Sequence, residues 1–257
     1  MRIVVCWLAI LMGPALVEAA PLDLTGYRWT QHPGALLPEQ LLFRDDSGQA
    51  IGLSEISHGL PLILAFGYYH CPNLCGLARS TLLTAIGGAN LVAGHDYSLA
   101  VVSIDPNETI GDAQAAKTAD LAAFPLPGAR SWHYLTGDPQ AIAALTDAVG
   151  YQGRFDAALK QFIHPTGLVV ITPTGAVSSY LLGLGYQPGD LRVALARAGH
   201  GAIEAAALPV ILLCFHYDAT TGRYTLSILK LLKLAAALTV LTVAGFGLVL
   251  FRGVRRI

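Results

Sequence analysis

Charge is scarce in this chain of 257 residues, where only 13% of positions are Asp, Glu, Lys or Arg, about half the share of an ordinary soluble domain. Internal repeats and low-complexity linkers are also lacking. No glycine-rich phosphate loop occurs, no carboxylate pair has a glycosidase-like context, and no nucleophile–base arrangement stands out, so hydrolase chemistry has no support. What is abundant is apolar sequence, 54% of the chain. That excludes disorder, and the composition excludes collagen and coiled coil as well.

The apolar excess gathers at the two ends. Met1-Arg2, an apolar run over 3–16 broken by Gly13-Pro14, and small residues up to Ala20 predict a secretory signal peptide over residues 1–20. Residues 234–251 carry no charge and are flanked by Lys230 and Lys233 on one side and Arg252, Arg255 and Arg256 on the other. This predicts one transmembrane helix over 230–251 and a cytoplasmic tail over 252–257. The main domain is then expected on the periplasmic side of a bacterial inner membrane. With both ends set aside, the exported part carries about six more acidic than basic residues, so nucleic acid is not an expected partner. Three cysteines remain there, Cys71, Cys75 and Cys214. An odd number in an oxidising compartment suggests a reactive or metal-binding thiol rather than a disulfide framework.

Residues 21–200 read as one α/β domain. Stretches 40–43 and 49–53 flank the turn Asp45-Asp46-Ser47-Gly48 and predict a hairpin. Short apolar runs at 61–66, 97–104 and 132–135 predict strands, separated by helices at 74–86, 112–124 and 139–149. Stretches 167–172 and 176–181, joined by Pro173-Thr174-Gly175, predict an antiparallel hairpin, and a helix at 189–198 closes the unit. A second hairpin, 208–217 with 223–229, is expected within a juxtamembrane segment over 201–229.

The chemistry-bearing stretch is Gly67-Tyr68-Tyr69-His70-Cys71-Pro72-Asn73-Leu74-Cys75-Gly76. Two cysteines four apart at a strand-to-helix turn put both sulfurs on one side of the first helical turn, where the helix N-terminus favours thiolate. Thiolate serves both disulfide exchange and soft-metal binding. CxxxC differs from the CxxC usual in thiol oxidoreductases, and His70 beside Cys71 is read as tuning that thiol. His164, at the entry to the 167–181 hairpin, is the candidate third metal ligand. If that hairpin pairs beside the strand leading to the cysteines, a two-sulfur, one-imidazole site can close, a set suited to Cu(I). Cys214 and His216 alternate onto one face of a predicted strand and form a candidate secondary metal site.

From about residue 38 to 198 the chain resembles the Sco/SenC family of copper-binding, thioredoxin-like cytochrome c oxidase assembly proteins. The resemblance rests on Phe66-Gly67-Tyr68, Cys71-Pro72-Asn73-Leu74-Cys75, Val102-Ser103-Ile104-Asp105-Pro106, and His164 followed by Pro173-Thr174-Gly175. It implies a thioredoxin-like fold with a central mixed sheet flanked by helices, to which the C-terminal hairpin and transmembrane helix would be additions. It further implies that Cys71, Cys75 and His164 bind copper, Cu(I) or Cu(II), that Asp105 neighbours the site, and that the copper-binding subunit of cytochrome c oxidase is the acceptor. A thiol reductant or another copper chaperone would be a further partner. Thiol–disulfide exchange by Cys71 and Cys75, keeping the oxidase's cysteines reduced, and copper or redox sensing are the alternatives. Gly76, where the family often has proline, and Pro165 directly after His164 depart from the pattern.

Overall fold

The computed structural model describes residues 27–71, 75–157, 159–206, 236–240 and 242. A short hairpin, β1 (Leu42–Arg44) and β2 (Ala50–Gly52), leads through a five-residue helix α1 (Leu53–Ser57) into the buried strand β3 (Leu62–Gly67). Then follow α2 (Cys75–Gly88), β4 (Ser98–Ser103), α3 (Ile110–Ala123), β5 (His133–Leu135) and α4 (Pro139–Ala148). A small hairpin, β6 (Arg154–Asp156) and β7 (Gln161–Ile163), precedes β8 (Gly167–Ile171), β9 (Val177–Leu182) and α5 (Pro188–Gly199).

The five long-range strands form one sheet in the order β5-β4-β3-β8-β9. Helical crossovers make β3, β4 and β5 parallel, whereas β8 pairs antiparallel with both β3 and β9, so the sheet is mixed as expected. The inner strands β3, β4 and β8 are largely apolar and buried because both faces are covered. Along β3, Leu62, Leu64 and Phe66 enter one core with α1 and α4, while Ile63 enters the other with α2 and α5. Polar caps start two of the helices: Thr109 Oγ1 accepts from the N–H of Asp112 at α3, and Asp138 accepts from that of Ala141 at α4.

The expected transmembrane helix requires correction. Among the described residues no helix is long and apolar enough to cross a membrane. In the C-terminal apolar run, helix is described at 236–240 and 242. The expectation rests on the length of an uncharged run and its basic flanks, and an apolar run by itself does not distinguish a membrane span from another buried segment. The expected signal peptide, the tail at 252–257, most of the 201–229 segment, and Cys214 with His216 lie outside the described residues.

Candidate metal centre

The centre forms where the carboxyl end of β3 meets the first turn of α2. Cys75 is the first residue of α2 and is 3% exposed. Antiparallel pairing sets Ala65 opposite Leu168, so the residues just before β8 reach the same end of the sheet. His164 arrives there with 2% exposure, and its Nε2 lies 3.3 Å from Cys75 Sγ. On the other side of the ring, Nδ1 lies 3.1 Å from the Pro165 carbonyl oxygen. A carbonyl can only accept, so Nδ1 carries the proton and Nε2 keeps its lone pair toward the sulfur. Burial drives the His164 pKa down to about 4, against a smaller upward pull from the Pro165 carbonyl. The imidazole is therefore neutral at physiological pH and in the form a metal ligand requires.

Gly153 permits this placement. A Cβ there would stand 2.9 Å from His164 Cβ and 3.2 Å from the Ile163 carbonyl oxygen. The ring neighbours two aromatic side chains, Tyr68 in an edge-on arrangement and Tyr151 tilted, with centroids 6.1 and 6.0 Å away. Tyr68, Cys75, Arg79, His164, Thr166 and Tyr186 are among the walls of a cavity of about 20 Å³, room for one water-sized species.

Cys71 is half-buried on the segment before α2, and both it and Cys75 are thiols. The Tyr68 phenol lies close by, its pKa raised first by burial and then by the neighbouring Cys71 and Cys75 sulfurs. Among the described residues no three of His, Cys, Asp and Glu stand close enough together to hold a metal ion. The structure thus assembles Cys75 with His164 and leaves Cys71 beside them. A 3.3 Å separation is one that metal–nitrogen and metal–sulfur bonds of about 2.0–2.3 Å can bridge, so the pair fits a soft metal and Cys71 would have to move in to complete three ligands.

Asp105 serves its own turn: Oδ1 accepts from the backbone N–H and the side-chain Nδ2 of Asn107, each at 2.9 Å. Sequence reasoning misses Glu108, which is 8% exposed and accepts from the backbone N–H groups of Tyr69 and His70. Between Asn107 and Thr109 it reads as an ordinary turn residue, and nothing in the sequence marks it as buried. Also missed is the Arg79–Asp120 pair: Arg79 Nε donates to Asp120 Oδ2 at 2.8 Å, and Tyr134 donates to the same oxygen at 2.7 Å.

The SCO1/SenC family model matches residues 33–195, a span that contains both ends of the candidate centre. No curated protein matches the chain. Among solved structures, a protein of Aquifex aeolicus VF5 is 24% identical with a TM-score of 0.58, covering 66% of this chain and 96% of that one. ScoI of Arabidopsis thaliana, solved with copper bound, is 17% identical with a TM-score of 0.50 over 65% of this chain and 98% of its own. BsSco, described as having a disulfide switch and as a member of the Sco family of cytochrome c oxidase assembly proteins, is 18% identical with a TM-score of 0.50, covering 66% and 97%. At these identities the structural likeness speaks for the shared fold. Since the family model spans more than half of the chain, including the CxxxC segment and His164, this protein belongs to the SCO1/SenC family.

Proposed function

We propose that the domain is a copper carrier, which takes up the ion through Cys75 and His164, completes the set with Cys71, and passes it on for assembly of the copper centre of cytochrome c oxidase. The observation that carries this reading is the 3.3 Å approach of Cys75 Sγ to His164 Nε2, with Nδ1 engaged by the Pro165 carbonyl. A sulfur beside a proton-free imidazole nitrogen is a donor set suited to Cu(I). Each thiol that binds gives its proton to solvent, so uptake is coupled to proton release. Cys71 is the more accessible sulfur. Transfer would therefore proceed by ligand exchange, an acceptor sulfur bonding to copper as the Cys71 bond breaks. The copper bound to the Arabidopsis relative and the oxidase-assembly description of BsSco favour extending both roles to this chain. In this reading the domain works on the periplasmic side of a bacterial inner membrane, the acceptor is the copper-binding subunit of the oxidase, and a thiol reductant or another copper chaperone prepares or loads the site.

An anaerobic Cu(I) competition titration of the reduced full chain tests this. One-to-one binding is expected, weakened by about 100-fold or more in His164→Ala and unchanged in His200→Ala, which alters an exposed residue after α5. Equal binding by the parent and His164→Ala would sink the copper reading.

One observation favours a second reading, thiol–disulfide exchange: Cys71 is half-buried whereas Cys75 is sheltered. Such a pair suits an attacking and a resolving sulfur. Cys71 thiolate would attack a partner disulfide and release one partner thiol, and Cys75 would then displace the second. The protein would be left oxidised and its partner reduced by two electrons. Exchange surviving His164→Ala but lost in either cysteine variant would select this reading.

A further inference from the structure

Beyond Gly67 the backbone leaves the sheet on its way to Cys71, and a buried carboxylate meets it there. The Glu108 side chain is 3% exposed. Its Oε2 accepts from the Tyr69 N–H at 2.8 Å and from the Ser103 hydroxyl at 2.5 Å, while Oε1 accepts from the His70 N–H at 2.7 Å. The two main-chain donors are consecutive, and the second immediately precedes Cys71. The exposed His70 ring leans over the same group, with Nδ1 3.4 Å from Glu108 Oε1 and Nε2 3.4 Å from Asp112 Oδ1. Ser103 ends β4 and lies opposite Gly67 in the parallel register, so the carboxylate joins two strand ends to the cysteine segment.

We propose that Glu108 is a positioning residue for Cys71, gripping residues 69 and 70 so that the Cys71 sulfur starts within reach of Cys75 and His164. A carboxylate is the group for this task because both of its oxygens accept. An amide would turn an NH2 toward one of the two backbone N–H groups, and a methyl would leave both without an acceptor. The three donors compensate the burial of the charge, which would otherwise be costly. The inference takes its functional meaning from the copper reading, but part of its test is independent of metal.

The test uses Glu108→Gln and the milder Ser103→Ala in the reduced full chain. The alkylation rates of Cys71 and Cys75 by iodoacetamide are followed by peptide mass spectrometry. Cys71 should react about fivefold faster in Glu108→Gln, the equivalent of one lost hydrogen bond, and to a smaller extent in Ser103→Ala, with Cys75 unchanged in both. Because Ser103→Ala keeps the carboxylate, acceleration there reports position rather than charge. Cu(I) affinity should fall about 10-fold in Glu108→Gln, and this loss should vanish when Cys71 is already replaced by Ser. Unchanged Cys71 labelling in both variants, equal acceleration at Cys75, or an undiminished affinity loss in the Cys71→Ser background would overturn the proposal. If Glu108→Gln does not fold, Ser103→Ala alone decides. Failure of the parent protein to bind Cu(I) would sink the copper reading while the alkylation rates still judge the clamp.

Discussion

His164 is neutral because burial makes protonation expensive, and the Pro165 carbonyl at Nδ1 leaves the lone pair on Nε2 toward Cys75. The same fact predicts a pH dependence in the metal-free protein. An unfolded chain takes up the imidazole proton below about pH 6.5, whereas the folded one refuses it until about pH 4. Between these values the unfolded state binds more protons, so stability rises with pH across the window. His164 leaves stability intact above pH 6.5 and lowers it by about 3 kcal/mol as pH falls through the folded value. Urea unfolding at several pH values should show a shallower acid loss in His164→Gln than in the parent. Gly153 tests the ring's placement differently, because Gly153→Ala puts a methyl 2.9 Å from His164 Cβ. It should destabilise by about 1–3 kcal/mol and weaken Cu(I) binding about 10-fold, read from the same titration.

At the scale of elements, Asp120 is the joint between helices and sheet. From α3 it receives Arg79 of α2 and Tyr134 of β5, with Arg79 and Asp120 side chains 15% and 12% exposed. Asp120→Ala would leave a largely buried guanidinium without its counter-ion, and a loss of about 3 kcal/mol is expected in chemical unfolding. The central strands were legible in the sequence because strands covered on both faces are written as unbroken apolar runs, and β3 and β4 lie within a residue of the stretches at 61–66 and 97–104. The β6–β7 hairpin was not, since each strand has three residues and Phe155 faces solvent instead of alternating inward. Helix α1 is five residues long and too short for periodicity to register. Of the site, spacing and resemblance single out Cys71, Cys75 and His164 as candidates, and the structure brings Cys75 and His164 together. The contact between Cys75 and His164 depends on β8 pairing beside β3, and Glu108 depends on a turn whose burial no local pattern encodes.

For the molecule as a whole, one sheet divides two cores, and the centre sits at the carboxyl end of the central strand β3, where Cys75 belongs to the first core and the middle of the strand supplies no ligand. Stability and metal binding should therefore separate. Leu64→Ala, fully buried in the middle of β3, is expected to cost about 2–5 kcal/mol in urea unfolding while leaving Cu(I) stoichiometry unchanged at temperatures where the variant is folded.

The pairing of β8 with β3 also has a consequence in time. Cys75 and His164 are 89 residues apart. A ribosome adding about 5–20 residues per second takes roughly 5–20 s to travel between them. Through that interval a growing chain already carries its CxxxC dithiol but not the imidazole that will face it. The centre is thus made in two instalments, and until the second arrives the pair can meet oxidants and stray metal ions as an ordinary dithiol, so the histidine is the late piece that gives the sulfurs a defined neighbour.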